Sequence, residues 1–218
     1  MKSRSTDKAL AEFVAHVQPT EQQLELFEKY ASYLLSCNEH FNITAITDLP
    51  GVYRQHFEDS VSLAKFMDLN SINMIADIGT GGGFPGIPLK IMYPHLKVVL
   101  IEVTQKKQQF LADVVKLLGL NDVEICGLDW RTFVKNTAYP IDLFVTRAAL
   151  DELELIRMFR PASVYKNAPL VYWASKDWQC HPKALSLVTR TESYKLGHKD
   201  RRLAFFAGAA LGGGVREE

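Results

Sequence analysis

Asp77, Gly79, Gly81 and Gly83 occupy alternate positions in the stretch 75–89, IADIGTGGGFPGIPL. An apolar run, an acid, a glycine-rich turn and a Pro-Gly pair in that order read as a strand, a tight turn and the start of a helix. In an α/β sheet, that is the geometry that holds a nucleotide-like ligand. Glycine is needed where the backbone takes positive φ or lies against a ligand with no Cβ between them.

Gly81, Gly83 and Gly86 satisfy G-x-G-x-x-G, a weak signal for a dinucleotide when taken alone. Asp77 precedes the first glycine, Gly79, by two residues, and a carboxylate at the mouth of such a loop repels a pyrophosphate. It suits a cationic ligand such as S-adenosylmethionine, which carries an ammonium and a sulfonium. The competing reading is that Asp77 only caps the loop and the following helix.

Three further positions belong at the carboxyl ends of later strands, where ligands of open α/β sheets lie. Glu102 ends the run KVVLIE and is placed to accept bonds from the hydroxyls of a ribose, in NAD as in the methyl donor. Asp129 and Trp130 follow the next run, with an acid for an adenine edge and an aromatic ring for its face; Trp130 equally fits the core of the next helix. Arg147 ends the run IDLFVTR, an unusual place for a cation unless it meets an anionic group. TRAAL at 146–150 holds neither the Asn/Asp-Pro-Pro-aromatic pattern used on exocyclic amines nor a cysteine for attack on pyrimidine C5. An acceptor with an available lone pair, such as guanine N7, needs no base, and positioning with exclusion of water then carries the catalysis.

The elements that position these residues are legible as two patterns. Residues 1–70 show apolar spacing of three and four, predicting a small cap of amphipathic helices, with Thr20 as an N-cap and a third helix over 52–67. From residue 71 to 210, short apolar runs alternate with helical ones. The predicted strands are 74–78, 97–102, 123–126, 141–146 and 168–174, with helices at 86–92, 104–118 and 150–159 and an antiparallel pair from 193–196 and 202–207. Residues 211–218 read as a disordered tail.

Composition narrows the class. The 218 residues carry 25 Lys plus Arg against 25 Asp plus Glu, so nucleic acid binding has no global electrostatic footprint and needs a local patch. Lys106, Lys107, Arg147, Lys176 and the run 195–202 are the candidates for one. No membrane-length apolar run and no apolar leader are present, which makes the cytoplasm the default and argues against a membrane partner. Three dispersed cysteines indicate neither a disulfide framework nor a zinc cluster, so no metal site is expected.

IADIGTGGGFPGIPLKI, with FNITAITD at 41–48, HFEDSV at 56–61, VTRAAL at 145–150 and YWASK at 172–176, resembles the 16S ribosomal RNA guanine-N7 methyltransferases, also called glucose-inhibited division protein B. The resemblance runs from about Leu24 to Lys176. It implies a class I S-adenosylmethionine-dependent methyltransferase, Rossmann-like, with a mostly parallel sheet, an antiparallel C-terminal strand and a helical cap. It further implies transfer to N7 of a guanine in the 530 loop of small-subunit RNA.

Carried over residue by residue, the resemblance puts Gly79 and Phe84 in the cofactor loop, Glu102 at the ribose and Arg147 between cofactor and target. Lys176 becomes a candidate active-site or RNA contact, and His56 falls in a shared His-x-x-Asp-Ser segment. Departures are Gln55 where a basic residue usually stands, with Arg54 one place earlier, and Asp177 where a glycine follows the lysine.

The site expected from the sequence therefore has Arg147 and Lys176 as catalytic groups. Asp77, Gly79, Gly81, Gly83, Phe84, Glu102, Asp129, Trp130 and Arg147 would hold the donor, and Arg54, His56 and Lys176 the RNA. The expected partner is 16S RNA or the small subunit, and a monomer is favoured. A class I methyltransferase with another substrate and a non-catalytic ribosome assembly factor remain the alternatives, with a nicotinamide enzyme behind them.

Overall fold

The runs MIADI, KVVLI, VEIC, LFVTR and LVYWAS are short, apolar and rich in β-branched or aromatic residues, and each becomes a strand. The computed structural model describes residues 4–147 and 150–207; the tail expected at 211–218 lies outside them. The strands are β1 (Met74–Ile78), β2 (Lys97–Ile101), β3 (Val123–Cys126), β4 (Leu143–Arg147) and β5 (Leu170–Ser175), followed by β6 (Val188–Leu196) and β7 (Lys199–Phe206). They form one sheet in the order β3-β2-β1-β4-β5-β7-β6. β1 to β5 pair in parallel, while β7 runs antiparallel to both β5 and β6. β6 starts at Val188, before the expected 193, because its polar residues TRTES face solvent on an edge strand and read as a loop.

Side chains alternate across the sheet. Ile75, Val98, Leu100, Leu143, Val145 and Trp173 point to one face; Ala76, Ile78, Val99, Ile101, Phe144 and Tyr172 point to the other. The first face is covered by α1 (Arg4–Val17) and α2 (Glu21–Phe41), then by a broken helical run. That run is α3 (Leu49–Gly51), a π-helical segment (Val52–Glu58), α4 (Asp59–Val61) and a 3-10 turn (Ser62–Lys65), where a single helix over 52–67 was expected. α5 (Gly86–Met92) and α6 (Gln105–Leu118) complete this layer. The second face carries α7 (Trp130–Asn136), α8 (Glu152–Leu155) and the 3-10 turn Ile156–Phe159.

The start of α2 is fixed as the sequence predicts, by a capping box. Thr20 accepts from the Gln23 amide at 3.2 Å, and the Gln23 side chain accepts from the Thr20 amide at 2.9 Å. The N-terminal helices share one buried cluster with the sheet. Phe13 meets Phe27 at 5.0 Å between ring centroids, Phe27 meets Phe57 at 4.9 Å, and Tyr30 stacks on Phe84 of the glycine loop at 5.5 Å. Each such ring contributes roughly 1.5–3 kcal/mol through burial. No described helix is long and apolar enough to cross a membrane.

Candidate active site

The strand order reverses between β1 and β4, which leaves a crevice beyond their carboxyl ends. The glycine turn after β1 forms its edge. Gly79, Gly81 and Gly83 have φ of 65°, 58° and 94°, conformations that only glycine adopts cheaply. The amides of Gly79 and Thr80 donate to the Ile101 carbonyl at 2.9 and 3.1 Å, tying the turn to the end of β2. The Gly81 amide donates to Glu102 Oε2 at 3.1 Å, and Glu102 Oε1 accepts from the Thr104 amide at 2.9 Å.

Below the turn, Asp77 is fully buried. Its Oδ2 accepts from the Thr80 hydroxyl at 2.6 Å and from the Gly86 amide at 2.7 Å, while Oδ1 has no hydrogen-bond partner. Burial pushes the Asp77 carboxyl up to about 7, against the pull of those two donors. A Cβ on Gly86 would lie 2.9 Å from Asp77 Oδ2, so glycine is what lets the amide reach the acid.

The crevice has a volume of about 470 Å³ and is lined by Gly79, Glu102, Lys107, Asp129, Trp130 and Arg147 among others. That size suits a nucleoside-sized ligand. Asp129 caps α7, accepting from the Thr132 amide at 3.1 Å and the Thr132 hydroxyl at 2.7 Å. Trp130 is buried as a wall of the second core: its indole N–H donates to the Glu154 carbonyl at 2.8 Å and its ring packs on Phe133 and Phe144.

Arg147, the last residue of β4, reaches from the crevice toward the helical layer. Its Nη1 donates to the Gln55 carbonyl at 2.8 Å and approaches Asp59 Oδ2 at 3.4 Å; its Nη2 donates to His56 Nδ1 at 2.8 Å. Since Nδ1 accepts, the imidazole proton sits on Nε2 and is donated to Thr44 Oγ1 at 2.7 Å. Burial and the neighbouring Arg147 cation lower His56 to about 3, so it is a neutral acceptor. Asp59, 1% exposed, also accepts from Arg201 at 2.9 and 3.1 Å and from the Tyr194 hydroxyl at 2.6 Å. Burial lowers Arg147, partly offset by Asp59. The π segment allows this meeting, since its last turn bonds the Asp59 amide to the Arg54 carbonyl while Gln55 offers its carbonyl to Arg147.

The structure thus brings Gly79, Glu102, Asp129, Trp130 and Arg147 to one crevice and places the remaining candidates elsewhere. Asp77 does not stand at the loop mouth as a free anion; it is buried beneath the turn as its scaffold, the competing reading from the sequence. Gly83 faces the helical layer, because a Cβ there would lie 2.6 Å from the Tyr30 hydroxyl and 2.5 Å from Ile87. Phe84 is buried in that layer, its ring 4.1 Å from the His56 ring and nearly parallel to it, with the Arg147 guanidinium 5.2 Å from its centre. His56 therefore supports Arg147 from inside the helical layer. Arg54 is held by Glu12 of α1 at 2.5 Å. Lys176 is mostly exposed, paired with Asp200 at 3.2 Å, and does not line the crevice. Sequence reasoning missed Arg201, Tyr194 and the Gln55 carbonyl, and it read Asp59 only as part of a matching segment. The one available signal was the cation ending β4, which required an anionic partner.

Two kinds of comparison bear on this architecture. Among solved structures, M. capricolum TrmK in complex with S-adenosyl-homocysteine aligns with a TM-score of 0.53 at 17% identity, covering 69% of this chain and 67% of that one. A SAM-dependent O-methyltransferase from Thermotoga maritima aligns with a TM-score of 0.56 at 16% identity, covering 85% and 73%. Likeness at these identities establishes the class I methyltransferase fold. Among curated proteins, ribosomal RNA small subunit methyltransferase G of Geobacillus thermodenitrificans is 47% identical over 186 residues, 81% of this chain and 78% of the relative. The protein of the same name from Listeria monocytogenes is 39% identical over 192 residues, covering 86% and 80%. The family model described as GidB, rRNA small subunit methyltransferase G, matches residues 23–202, from the first turn of α2 into β7 and through every element that builds the crevice. On that match, the chain belongs to the rRNA small subunit methyltransferase G family.

Proposed function

We propose that this protein transfers the methyl group of S-adenosylmethionine to N7 of a guanine in the 530 loop of 16S RNA, in the cytoplasm and as a monomer. The observation that carries the reading is Arg147, a cation lining a nucleoside-sized crevice and fixed from behind by Asp59, Gln55 and His56. The family supplies the reaction class, and the chemistry of the crevice is consistent with it.

The residues fit the donor on two counts. Asp77 Oδ1 is a buried oxygen with no partner, poised to gain from a nearby cation, and a cation there would draw its raised pKa back down. A Cβ on Gly81 would meet only the Gly79 carbonyl, at 3.9 Å, so the turn has open space beside it. The donor, when bound, supplies a methyl group on a positively charged sulfur. Glu102 receives the ribose hydroxyls, its carboxylate being already aimed by two backbone amides. Asp129 and Trp130 flank the adenine side. Guanine N7 offers its own lone pair, so no side chain has to remove a proton first. Arg147 instead orients the acceptor base, and its support network lets it hold one position without reorganising during the reaction. Lys176 is assigned to RNA contact at the rim, not to chemistry.

The reading is tested by mapping 7-methylguanine in 16S RNA from cells with and without the gene. Loss of one such site on deletion, and its return on incubating the mutant small subunits with protein and donor, is the expected result. An unchanged map rejects it.

A further inference from the structure

Away from the crevice, α7, the 3-10 turn Ile156–Phe159 and the segment after it enclose a basin of about 370 Å³ lined by Arg131, Lys135, Arg157, Arg160, Ser163 and Val164 among others. Among the described residues, four cations and no acid line it, in a chain whose charges balance at 25 and 25. The acid behind it, Glu154, holds Arg131 through two bonds at 2.7 and 2.8 Å and Arg157 through two at 2.8 and 3.2 Å, which fixes both guanidinium groups. Among the described residues, Lys135 and Arg160 enter no ion pair and are exposed. Such a like-charged surface costs self-repulsion, and its natural complement is a polyanion.

From this basin we infer a second contact surface for the RNA, one that grips phosphates at a distance from the methylated base. The inference rests on the functional reading above and extends it to a surface outside the crevice. Its cations are spread and solvent-facing, Arg131 keeping 66% of its side chain exposed. That arrangement suits successive phosphates of a strand rather than one buried anion, which would need convergent, desolvated donors. Among the described residues no aromatic ring lines the basin, so it reads backbone and not bases; exposed Val164 offers apolar surface to a ribose. The basin and the crevice share a wall. Arg131 directly follows Trp130, and the Trp130 indole N–H donates to the carbonyl of Glu154, the residue whose carboxylate holds Arg131. A strand lying in the basin is thereby set in register with a base entering the crevice on the other side of α7.

The test uses the double variant Lys135→Glu, Arg160→Glu, whose side chains make no hydrogen bond or ion pair among the described residues, beside the control Lys97→Glu, Lys116→Glu with the same charge change. The probes are naked 16S RNA and small subunits from cells lacking the gene. The expected result is a rise of at least about tenfold in KM for RNA in the basin variant alone, with kcat and donor affinity unchanged. Its plot of log affinity against log salt should flatten by about 1.4 to 1.8, the loss of two phosphate contacts. KM and salt slope equal to wild type on both probes overturn the inference. Equal losses in the two variants reduce it to nonspecific charge and also overturn it. Failure of the wild type itself to methylate either probe rejects the functional reading, a result distinct from either outcome of the variants.

Discussion

The two faces of the sheet bury the same kinds of aliphatic and aromatic residues but treat charge differently. Among the described residues, the buried acids and bases Glu58, Asp59, Asp77, Lys90 and Glu102, with His56, lie on the cap-covered side or at its strand ends. The opposite face buries Phe133, Phe144, Leu155, Met158 and Tyr165, and its strand polar group is Thr146, satisfied by the Ile78 carbonyl at 2.9 Å. Buried charge is expensive unless each group has partners, and replacing such pairs by apolar residues commonly stabilises a protein. Its confinement to the side that holds the turn and Arg147 marks where stability has been given up for a positioned cation. The apolar face compensates by packing.

Arg147→Ala should produce the largest effect. Methyl transfer is expected to fall by a factor on the order of a thousand, about 4 kcal/mol, while donor affinity changes far less. Equal losses in calorimetry and in kcat would move Arg147 from the target to the donor. On the opposite face, Phe133→Ala should cost about 3–5 kcal/mol of stability in urea unfolding, with kcat per folded molecule unchanged. A lowered kcat in the folded variant would break the division of labour between the faces.

Glu102→Ala should weaken the donor by about 1–3 kcal/mol in calorimetry. Unchanged affinity would leave Glu102 as a brace for Gly81 and Thr104 only. The smallest effect concerns pH. Asp77 has its folded pKa raised to about 7 against 3.8 unfolded, so the native state binds more protons between those values and loses stability as pH rises through them. His56, lowered to about 3 from 6.5, acts in the opposite sense over that range, gaining stability as pH rises. The informative quantity is therefore the difference between Asp77→Asn and wild type. That difference should shift toward the variant by about 1 kcal/mol or more between pH 4 and pH 7 and stay flat above. A difference that does not vary with pH would show the acid to be ionised throughout.

Much of this architecture was legible because its cues are local. β1, β3 and α5 follow from an apolar run, its bounding turn residues and a change of period, and Thr20 marks a helix start through its own chemistry. The cues fail where an element is held by distant partners. The helix expected over 52–67 is recast around a π segment, and the 3-10 turn Ile156–Phe159 replaces regular helix, because tertiary contacts set the geometry there. In the site, the residue types at the ends of β1 to β4 pointed to the loops that line the crevice, whereas the burial of Asp77 beneath the turn and the packing of Gly83, Phe84 and His56 against the helical layer were not legible, because distant elements set them.

By itself the sequence determined the strand order's raw material, the glycine turn, the acid after β2 and the cation after β4, and through its motifs the family. Only the tertiary structure decided that Arg147 meets Asp59 across 88 residues of chain and Arg201 meets Asp59 across 142, that Lys176 turns to Asp200, and that four cations gather beside α7. Periodicity and turn chemistry are written within a few residues, but which buried charge answers another depends on how the layers close. That closure follows from packing the whole chain at once.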